Sequence, residues 1–140
     1  EGFHVHKTIQ RFLDNRRKAI DTGEGIDWAT AEALAFASLV DEGHRVRLSG
    51  QDCERGTFSQ RHSVLYDQET EARYIPLANL SPTQARYEVI NSMLSEEAVL
   101  GFEYGYSLAR PNALTLWEQH ESAFIDALPA ILDTAQGEQP

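Results

Sequence analysis

Hydrophobic positions in this 140-residue chain alternate between helical and strand-like spacing, which predicts an α/β fold. The stretch 8–20, TIQRFLDNRRKAI, carries apolar side chains on one side and basic ones on the other, as in a short amphipathic helix. A second helix is predicted to start at the N-cap residue Asp27 and to end at Gly43. Alanine is frequent along it, so this helix can lie close against a sheet.

Strands are predicted after the second helix. HRVRLSG reads as a short strand that leads into a glycine turn, and 87–91 is a strand that delivers the chain to a further helix. A brief strand is also predicted at 74–77, with a proline marking its edge. The apolar run 113–117 is typical of a strand buried on both faces, so we expect Trp117 in the core.

The loop after the first strand, 51–62, has no periodicity and many polar side chains. Open α/β sheets bind ligands at the carboxyl ends of their strands, where such loops lie. We therefore predict that this loop lines a ligand cleft, with Gln51 and His62 as first choices for contacts to a substrate. From spacing alone, a structural surface loop is an equal alternative.

The segment SEEAVLGFEYGY predicts the start of a helix. Ser95 is a good N-cap residue, which puts Glu96 and Glu97 in the first turn, where the helix dipole favours negative charge. Without further information, Glu96 could simply stabilise the helix by about 0.3–1 kcal/mol. Gly101 and Gly105 each lower helix stability by about 1 kcal/mol relative to alanine, so we expect another surface to approach that face closely.

Composition and charge limit the function classes. Hydrophobic residues make up 41% of the chain and charged residues 24%, which is ordinary for a globular domain. The formal net charge of −10 repels nucleic acid, so no nucleic-acid partner is expected. No apolar run approaches the roughly 20 residues of a membrane span, so no membrane partner is expected either. The opening residues, EGFHVHKT, show no secretory signal pattern.

Three smaller features indicate structural roles and not catalytic or metal-binding ones. Cys53 is the single cysteine, which excludes an internal disulfide, and its acidic neighbours are expected to raise the pKa of its thiol. His4 and His6 would point the same way on a strand, but no third ligand is spaced nearby, so no metal site is predicted. The basic run 16–18 is expected to be a solvated helix face, with contact to an acidic surface or a phosphate as the alternative.

The chain resembles a known family at two levels. Glu96, Gly101 and Gly105, with an apolar residue after each glycine, are spaced as in the pyrimidine-side motif of thiamine-diphosphate enzymes. Two longer stretches resemble, in the right order, the pyrimidine-binding domain of the thiamine-dependent 2-oxoglutarate dehydrogenases. They are GIDWATAEALAFASLVDEGHRVRLSGQDCERGTFSQRHSVLYDQ and YIPLANLSPTQARYEVINSMLSEEAVLGFEYGYSLARPNALTLWE.

The resemblance implies a truncated, transketolase-like pyrimidine-binding domain with a mainly parallel sheet flanked by helices. It implies an N-terminal helical extension over 1–26 and the α/β domain over 27–118. The tail 119–140 reads as helical and shows no recognisable family counterpart, because the family's aromatic segment after Leu-Trp-Glu is replaced here by QHESAF.

The resemblance also implies a site. Glu96 is expected to contact the ring nitrogen of the aminopyrimidine of thiamine diphosphate and to share a proton with it. Phe102 and Phe124 are the expected cofactor-binding aromatics, and Gln51 and His62 are expected in the substrate cleft. In the family a separate domain holds Mg²⁺ and the diphosphate through a Gly-Asp-Gly motif that does not occur here.

The implied activity is oxidative decarboxylation of 2-oxoglutarate with succinyl transfer to lipoamide, in the cytoplasm of a bacterium or the mitochondrial matrix. The implied partners are a second copy of the chain in a homodimer, the diphosphate-binding domain of the same enzyme and a lipoyl-bearing succinyltransferase component. The isolated chain is predicted to be inactive. The alternative is a non-catalytic α/β fragment or dimerisation module that retains only the scaffold.

Overall fold

The computed structural model describes residues 2–119 and shows an α/β arrangement, as the pattern of the sequence predicts. A short 3₁₀ turn, Pro76–Ala78, lies between the third and fourth strands. The elements in chain order are α1 (Lys7–Thr22), α2 (Trp28–Asp41), β1 (Arg45–Gly50), β2 (Leu65–Tyr66), β3 (Arg73–Tyr74), β4 (Tyr87–Asn91), α3 (Glu96–Ala109) and β5 (Ala113–Glu118).

The main sheet is parallel and has the strand order β4-β1-β5. Val46 of β1 lies opposite Tyr87 of β4 and Leu114 of β5, and this register continues to the carboxyl ends of all three strands. Since the central strand is the first of the three in sequence, the chain crosses from β1 to β4 and then, through α3, back past β1 to β5. The predicted parallel sheet flanked by helices is confirmed.

One face of this sheet packs against α2 and forms the apolar core. Asp27 caps α2 as predicted, with its carboxylate accepting a hydrogen bond from the backbone amide of Thr30 at 2.7 Å. Successive strand side chains point to opposite faces, so alternate residues of β1 and β4 reach this core. The buried cluster comprises Phe36, Val40, Val46, Leu48, Cys53, Val64, Tyr87 and Val89.

The expectation for the last strand is wrong within the described part of the chain. β5 lies at one edge of the three-stranded sheet and pairs with a single strand, β1. Leu114 is 37% exposed, and Trp117 is half-buried and lies outside the buried cluster. A continuous apolar run therefore does not require burial on both faces here, because strand order determines which face is covered.

The small second sheet also corrects the sequence prediction. The brief strand expected at 74–77 is instead β3, which pairs in an antiparallel manner with β2 and ends before Pro76. Proline lacks a backbone N–H and suits the start of the 3₁₀ turn, where no donor is needed. Each strand of this sheet has only two residues, so the pairing holds together the two ends of the segment that connects β2 and β3.

The N-terminal helix packs on the loop 51–62, which sequence reasoning did not predict. Arg16 lies over the ring of Phe12 at 4.2 Å and donates hydrogen bonds to the backbone carbonyls of Gln60 and Arg61 at 2.9 and 3.0 Å. The prediction of a solvated face for the basic run is wrong for Arg16, whereas Arg17 is 84% exposed as expected. These contacts join residues that are far apart in the sequence, so no pattern near Arg16 predicts them.

The two N-terminal histidines do not lie on a strand, because residues 2–6 have no regular structure. The backbone amide of His4 donates to the Asp67 carboxylate at 2.8 Å, and His6 caps α1 by accepting from the amide of Thr8. Across residues 2–119, no group of three or more His, Cys, Asp and Glu side chains is placed to hold a metal ion. None of the helices in this part of the chain is both long and apolar enough to span a membrane.

Candidate functional site

The carboxyl edge of the parallel sheet is built around Gly50. Its backbone has φ of 137°, and a Cβ placed there would lie 1.8 Å from the carbonyl oxygen of Glu118. Only glycine allows this approach, in which the amide of Gln51 donates to the Glu118 carbonyl at 3.2 Å. The Gly50 carbonyl also accepts from the amide of Ser92 at 2.8 Å. The ends of β1, β4 and β5 are therefore tied together where the loop 51–62 begins.

Glu96 lies at this edge, at the first position of α3. The N-cap side chain of Ser95 accepts from the amide of Ala98, so the predicted helix start is confirmed. Gln51 Nε2 donates to Glu96 Oε1 at 2.6 Å, which brings together two residues predicted for the site. Glu96 is half-buried, whereas its neighbour Glu97 is exposed. Glu96 therefore faces the sheet and has a hydrogen-bond partner there. Glu97 faces solvent, where its negative charge can stabilise the start of the helix.

Arg61 holds the loop 51–62 in place. Its guanidinium donates to both carboxylate oxygens of Glu32 on α2 at 2.6 and 3.1 Å, to the Cys53 carbonyl at 3.0 Å and to the Glu118 carboxylate. Burial lowers the pKa of Arg61, but the hydrogen bonds and charges of Glu32 and Glu118 outweigh burial and raise the pKa overall. A charged group with this many partners fixes the loop relative to α2 and β5.

His62 lies in different surroundings from Gln51. Its ring packs edge-on against Phe12 with 5.0 Å between the ring centroids, and burial lowers its pKa. It lines a cavity of about 320 Å³ together with His6, Arg55 and Asn91. Asn91 ends β4, so the cavity reaches the carboxyl edge of the sheet, but its lining includes neither Gln51 nor Glu96. No hydrogen bond joins His62 to Glu96 in the described structure.

The two predicted cofactor aromatics are not brought to Glu96 by the described residues. Phe102 is 55% exposed on α3, and the guanidinium of Arg47 lies 5.3 Å from its ring. Phe124 lies outside the described residues, as does the stretch that follows Gln119. Their role in holding a cofactor stays a prediction.

The outer side of α3 presents an apolar surface that we call the glycine face, consisting of Gly101, Tyr104, Gly105 and Leu108. Nothing lies within 4 Å of a Cβ added at either glycine, so these positions are open. Tyr104 is 51% and Leu108 65% exposed. The close approach expected at the glycines is therefore not made by any described part of this chain.

The inner side of α3 carries a buried charge cluster that sequence reasoning missed. Glu103 accepts hydrogen bonds from Arg47 Nε and Nη2, both at 2.8 Å, and from Ser49 Oγ at 2.7 Å. A signal was present, because Arg47 and Ser49 alternate with apolar residues along β1, which places them on the face opposite the core. The carboxylate that pairs with them could not be read, since it comes from an element 54 residues later.

Cys53 is buried in the core and is unsuited to nucleophilic chemistry. Burial, more than any other effect, raises the pKa of its thiol to about 11, and its Sγ donates to the Ile90 carbonyl at 2.9 Å. The predicted direction of the shift is confirmed, but its main cause is burial and not the carboxylates of Asp52 and Glu54.

A parallel sheet of three strands, with α2 and α3 packed on it, is an open α/β arrangement, the class of fold whose ligand sites lie at the carboxyl ends of the strands. Residues 24–139 match the family model described as "Transketolase, pyrimidine binding domain", so the chain belongs to this family. The match continues well past residue 118, into the stretch for which the sequence alone offered no family counterpart.

Among curated proteins, the chain is 70% identical over 133 residues to the 2-oxoglutarate dehydrogenase E1 component of Brucella ovis. The same identity and length hold for the proteins of the same name from Brucella canis and Brucella anthropi. The aligned region is 95% of this chain and 13% of each relative. The chain thus spans about 13% of the length of these relatives.

Proposed function

We propose that this chain forms the pyrimidine side of a thiamine diphosphate site in a 2-oxoglutarate dehydrogenase E1 component. The observation that carries the proposal is the hydrogen bond between Gln51 and Glu96 at the carboxyl edge of the sheet. It holds the glutamate of the family motif inward, in the place where open α/β sheets bind their ligands. The similarity to the E1 components named above supplies the substrate class.

The role of Glu96 follows from its surroundings. Gln51 donates to Oε1 of Glu96, whereas Oε2 of Glu96 accepts no hydrogen bond from residues 2–119. A second partner can therefore bind the same carboxylate. We propose that this partner is the ring nitrogen of the cofactor's aminopyrimidine, with which Glu96 shares a proton. When bound, the cofactor supplies the electron sink for decarboxylation. The residues of this chain orient the ring and hold the proton.

The described residues fit the pyrimidine half of the cofactor but not its diphosphate half. Mg²⁺ prefers six oxygen ligands in octahedral geometry, and no metal-binding group of acidic side chains occurs in residues 2–119. The formal net charge of −10 also opposes a diphosphate. We propose that a diphosphate-binding domain outside this chain supplies those contacts.

The substrate cleft is proposed to include Gln51 and His62. Gln51 already touches Glu96, and His62 lines a cavity whose wall includes Asn91, the last residue of β4. Arg55 also lines this cavity, but its guanidinium is paired there with the Asp52 carboxylate, so its charge is already engaged within the cleft.

The glycine face of α3 is proposed to pack against its symmetry mate in a homodimer. Both glycines are open and are flanked by exposed apolar side chains, as expected for a surface that a second backbone approaches closely. Within a complete enzyme, the further proposed partner is a lipoyl-bearing succinyltransferase component that accepts the succinyl group. The proposed location is the bacterial cytoplasm or the mitochondrial matrix.

The second candidate is a non-catalytic fragment that keeps only the scaffold and the dimer face. It is favoured by the lack of a diphosphate site in the described residues. Calorimetric titration with thiamine diphosphate and Mg²⁺, with and without a complementary diphosphate-binding domain, separates the two. Binding only in the presence of that domain, and its loss in a Glu96→Gln variant, supports the cofactor site. Failure to bind in both arms supports the scaffold.

A further inference from the structure

The side of β1 that faces α3 is polar at Arg47 and Ser49, and the polar residue Gln51 follows immediately after the strand. Arg47 and Ser49 bind the carboxylate of Glu103, and Gln51 binds the carboxylate of Glu96. Side chains at every second position of a strand share one face, so Arg47 and Ser49 lie in one row, and Gln51, the first residue after the strand, continues this row toward Glu96. This row contacts α3 at two places through hydrogen bonds.

The Glu103 end of this row is the more deeply buried one. Glu103 is 4% exposed and Arg47 9%, and together with Ser49 they make three hydrogen bonds of 2.7–2.8 Å. The ring of Tyr106 covers the guanidinium at 4.8 Å, and its hydroxyl donates to Glu88 at 3.4 Å. A bidentate arginine–carboxylate pair in such a setting fixes both the distance and the angle between its two elements.

Apolar packing alone defines the placement of α3 only weakly. Of its fourteen residues, Val99 and Glu103 are the buried ones, so a single fully buried apolar side chain faces the sheet. Hydrophobic burial is non-directional, so Val99 and the half-buried Leu100 and Tyr106 restrict sliding and rotation of the helix less than directional contacts do. The directional contacts at Glu103 restrict both movements.

Helix geometry transmits this restriction to the candidate site. Glu103 follows Glu96 by seven residues, which is nearly two helical turns, so both side chains lie on the same side of α3, about 10 Å apart along its axis. A change in the rotation or axial position of α3 at Glu103 therefore moves Glu96 relative to Gln51. Glu103 itself is 4% exposed and its carboxylate is bound by Arg47 and Ser49, so we expect it to act on a ligand through Glu96 and not by direct contact.

We infer that Glu103, clamped by Arg47 and Ser49, is a positioning residue that sets the rotation and axial position of α3 and thereby brings Glu96 into contact with Gln51 and with the cofactor ring. This inference rests on the proposed function. It differs from a purely structural role because it states that the effect of Glu103 on the cofactor passes through Glu96.

The test uses the full-length E1 polypeptide that carries this domain. Glu103→Asp keeps the charge but shortens the side chain by one methylene, and Arg47→Lys keeps the charge but removes the bidentate fork. Val99→Ala is the matched control, because it weakens the packing of the same helix without touching the clamp. The readouts are the melting temperature, calorimetric affinity for thiamine diphosphate, the near-ultraviolet circular dichroism of the bound cofactor, and turnover.

We expect Glu103→Asp and Arg47→Lys to lower turnover by about tenfold or more and to change the dichroism of the bound cofactor, a size typical of a misplaced catalytic group. Val99→Ala should lower the melting temperature but leave the dichroism unchanged. In a Glu96→Gln background, Glu103→Asp should cause little further loss of turnover, because residues that act as a unit are non-additive. If a clamp variant does not fold, Ser49→Ala removes one hydrogen bond only and should lower turnover by about fivefold.

The possible failures can be told apart. If the wild-type protein does not bind the cofactor, or if Glu96→Gln is fully active, the proposed function fails and the positioning inference falls with it. If wild type and Glu96→Gln behave as proposed but Glu103→Asp matches Val99→Ala in every readout, only the positioning inference is overturned. It is also overturned if Glu103→Asp costs a further tenfold on top of Glu96→Gln.

Discussion

Gln51 and Glu96 are 45 residues apart in the sequence, and a hydrogen bond of 2.6 Å joins their side chains across the end of the sheet. Gln51 is the first residue after β1, and Glu96 is the first residue of α3. The contact depends on Gly50, since a side chain at that position would collide with the Glu118 carbonyl and displace the loop. The tight end of β1 therefore places Gln51 within reach of Glu96, which is the glutamate of the helix start that faces the sheet.

The first prediction concerns Glu96 itself. In a complete enzyme, Glu96→Gln should leave the fold intact and lower turnover by about a hundredfold or more, the scale of a lost acid–base group. Steady-state kinetics on the two proteins measures this. Glu97→Gln is the matched control, because Glu97 sits one position later in the same turn and is exposed. Equal losses in the two variants would contradict a specific role for Glu96.

The second prediction concerns its partner. Gln51→Met keeps the length of the side chain but removes the amide that donates to Glu96. A hydrogen bond to a charged group contributes about 1.5–3 kcal/mol, so we expect turnover to fall by about tenfold or more. The same substitution made together with Glu96→Gln should add little, since the donor then loses its charged acceptor. A full additional loss in the double variant would mean that Gln51 acts on the substrate independently of Glu96.

The helix start and the parallel strands were predictable because their signals are local. A serine cap followed by acidic residues, and alternating apolar residues that lead into Gly50, are read within a few positions of the chain. The clamp of Arg16 on the loop carbonyls and the pairing of Arg47 with Glu103 were not predictable. Each joins elements more than 40 residues apart, and nothing near either residue identifies its partner. The partial exposure of Trp117 likewise depends on strand order, which the local pattern does not contain.

The third prediction is that a substitution on the glycine face has opposite effects on folding and on association. In dilute, monomeric chain, Gly101→Ala should stabilise α3 by about 0.5–1 kcal/mol, because alanine is the better helix former and the position has room for a Cβ. In concentrated solution it should weaken self-association by blocking close backbone approach. Thermal melts and sedimentation velocity measure the two effects. Asn15→Ala on the exposed side of α1 should stabilise its helix without changing association.

If the wild-type chain stays monomeric at high concentration, the homodimer is contradicted for this chain. If Gly101→Ala strengthens association, the glycine face is not the surface that pairs.

The fourth prediction is a pH dependence at the junction between the N-terminal segment and the domain. The Asp67 carboxylate accepts hydrogen bonds from the amides of Thr70, His4 and Glu69, which together lower its pKa to about 2. Since the pKa in the unfolded chain is about 3.9, the stabilisation is complete above that pH and is lost as the pH falls toward 2. NMR titration of the three amide protons should show their release in this window.

Asp67→Asn is the control for this titration, because it keeps one acceptor oxygen but does not ionise. Its three amide shifts should change less between pH 5 and the acid limit than those of the wild-type chain. Equal changes of the three amide shifts in Asp67→Asn and in the wild-type chain would contradict the assignment to Asp67.

The last prediction is that the 140-residue chain alone does not bind thiamine diphosphate tightly, although Glu96 and Gln51 are already paired. Much of the binding free energy of such a cofactor is expected from its charged diphosphate and the ion that neutralises it. Residues 2–119 offer no cluster of metal ligands, and the chain has a formal net charge of −10. A charged hydrogen bond from Glu96 contributes about 1.5–3 kcal/mol. Micromolar affinity requires about 8 kcal/mol, so the pyrimidine contacts fall well short.

Calorimetry of the isolated chain with thiamine diphosphate and Mg²⁺ checks this directly, with Glu96→Gln as the comparison. We expect no saturable heat at micromolar cofactor in either protein. Saturable micromolar binding that survives in Glu96→Gln would place an anion site elsewhere in the chain, because the only contact removed is the one at the helix start. Saturable binding that is lost in Glu96→Gln would mean that the pyrimidine side is far stronger than one charged hydrogen bond allows. In that case the residues around Glu96 would contribute more binding free energy to the pyrimidine ring than the contact between Gln51 and Glu96 explains.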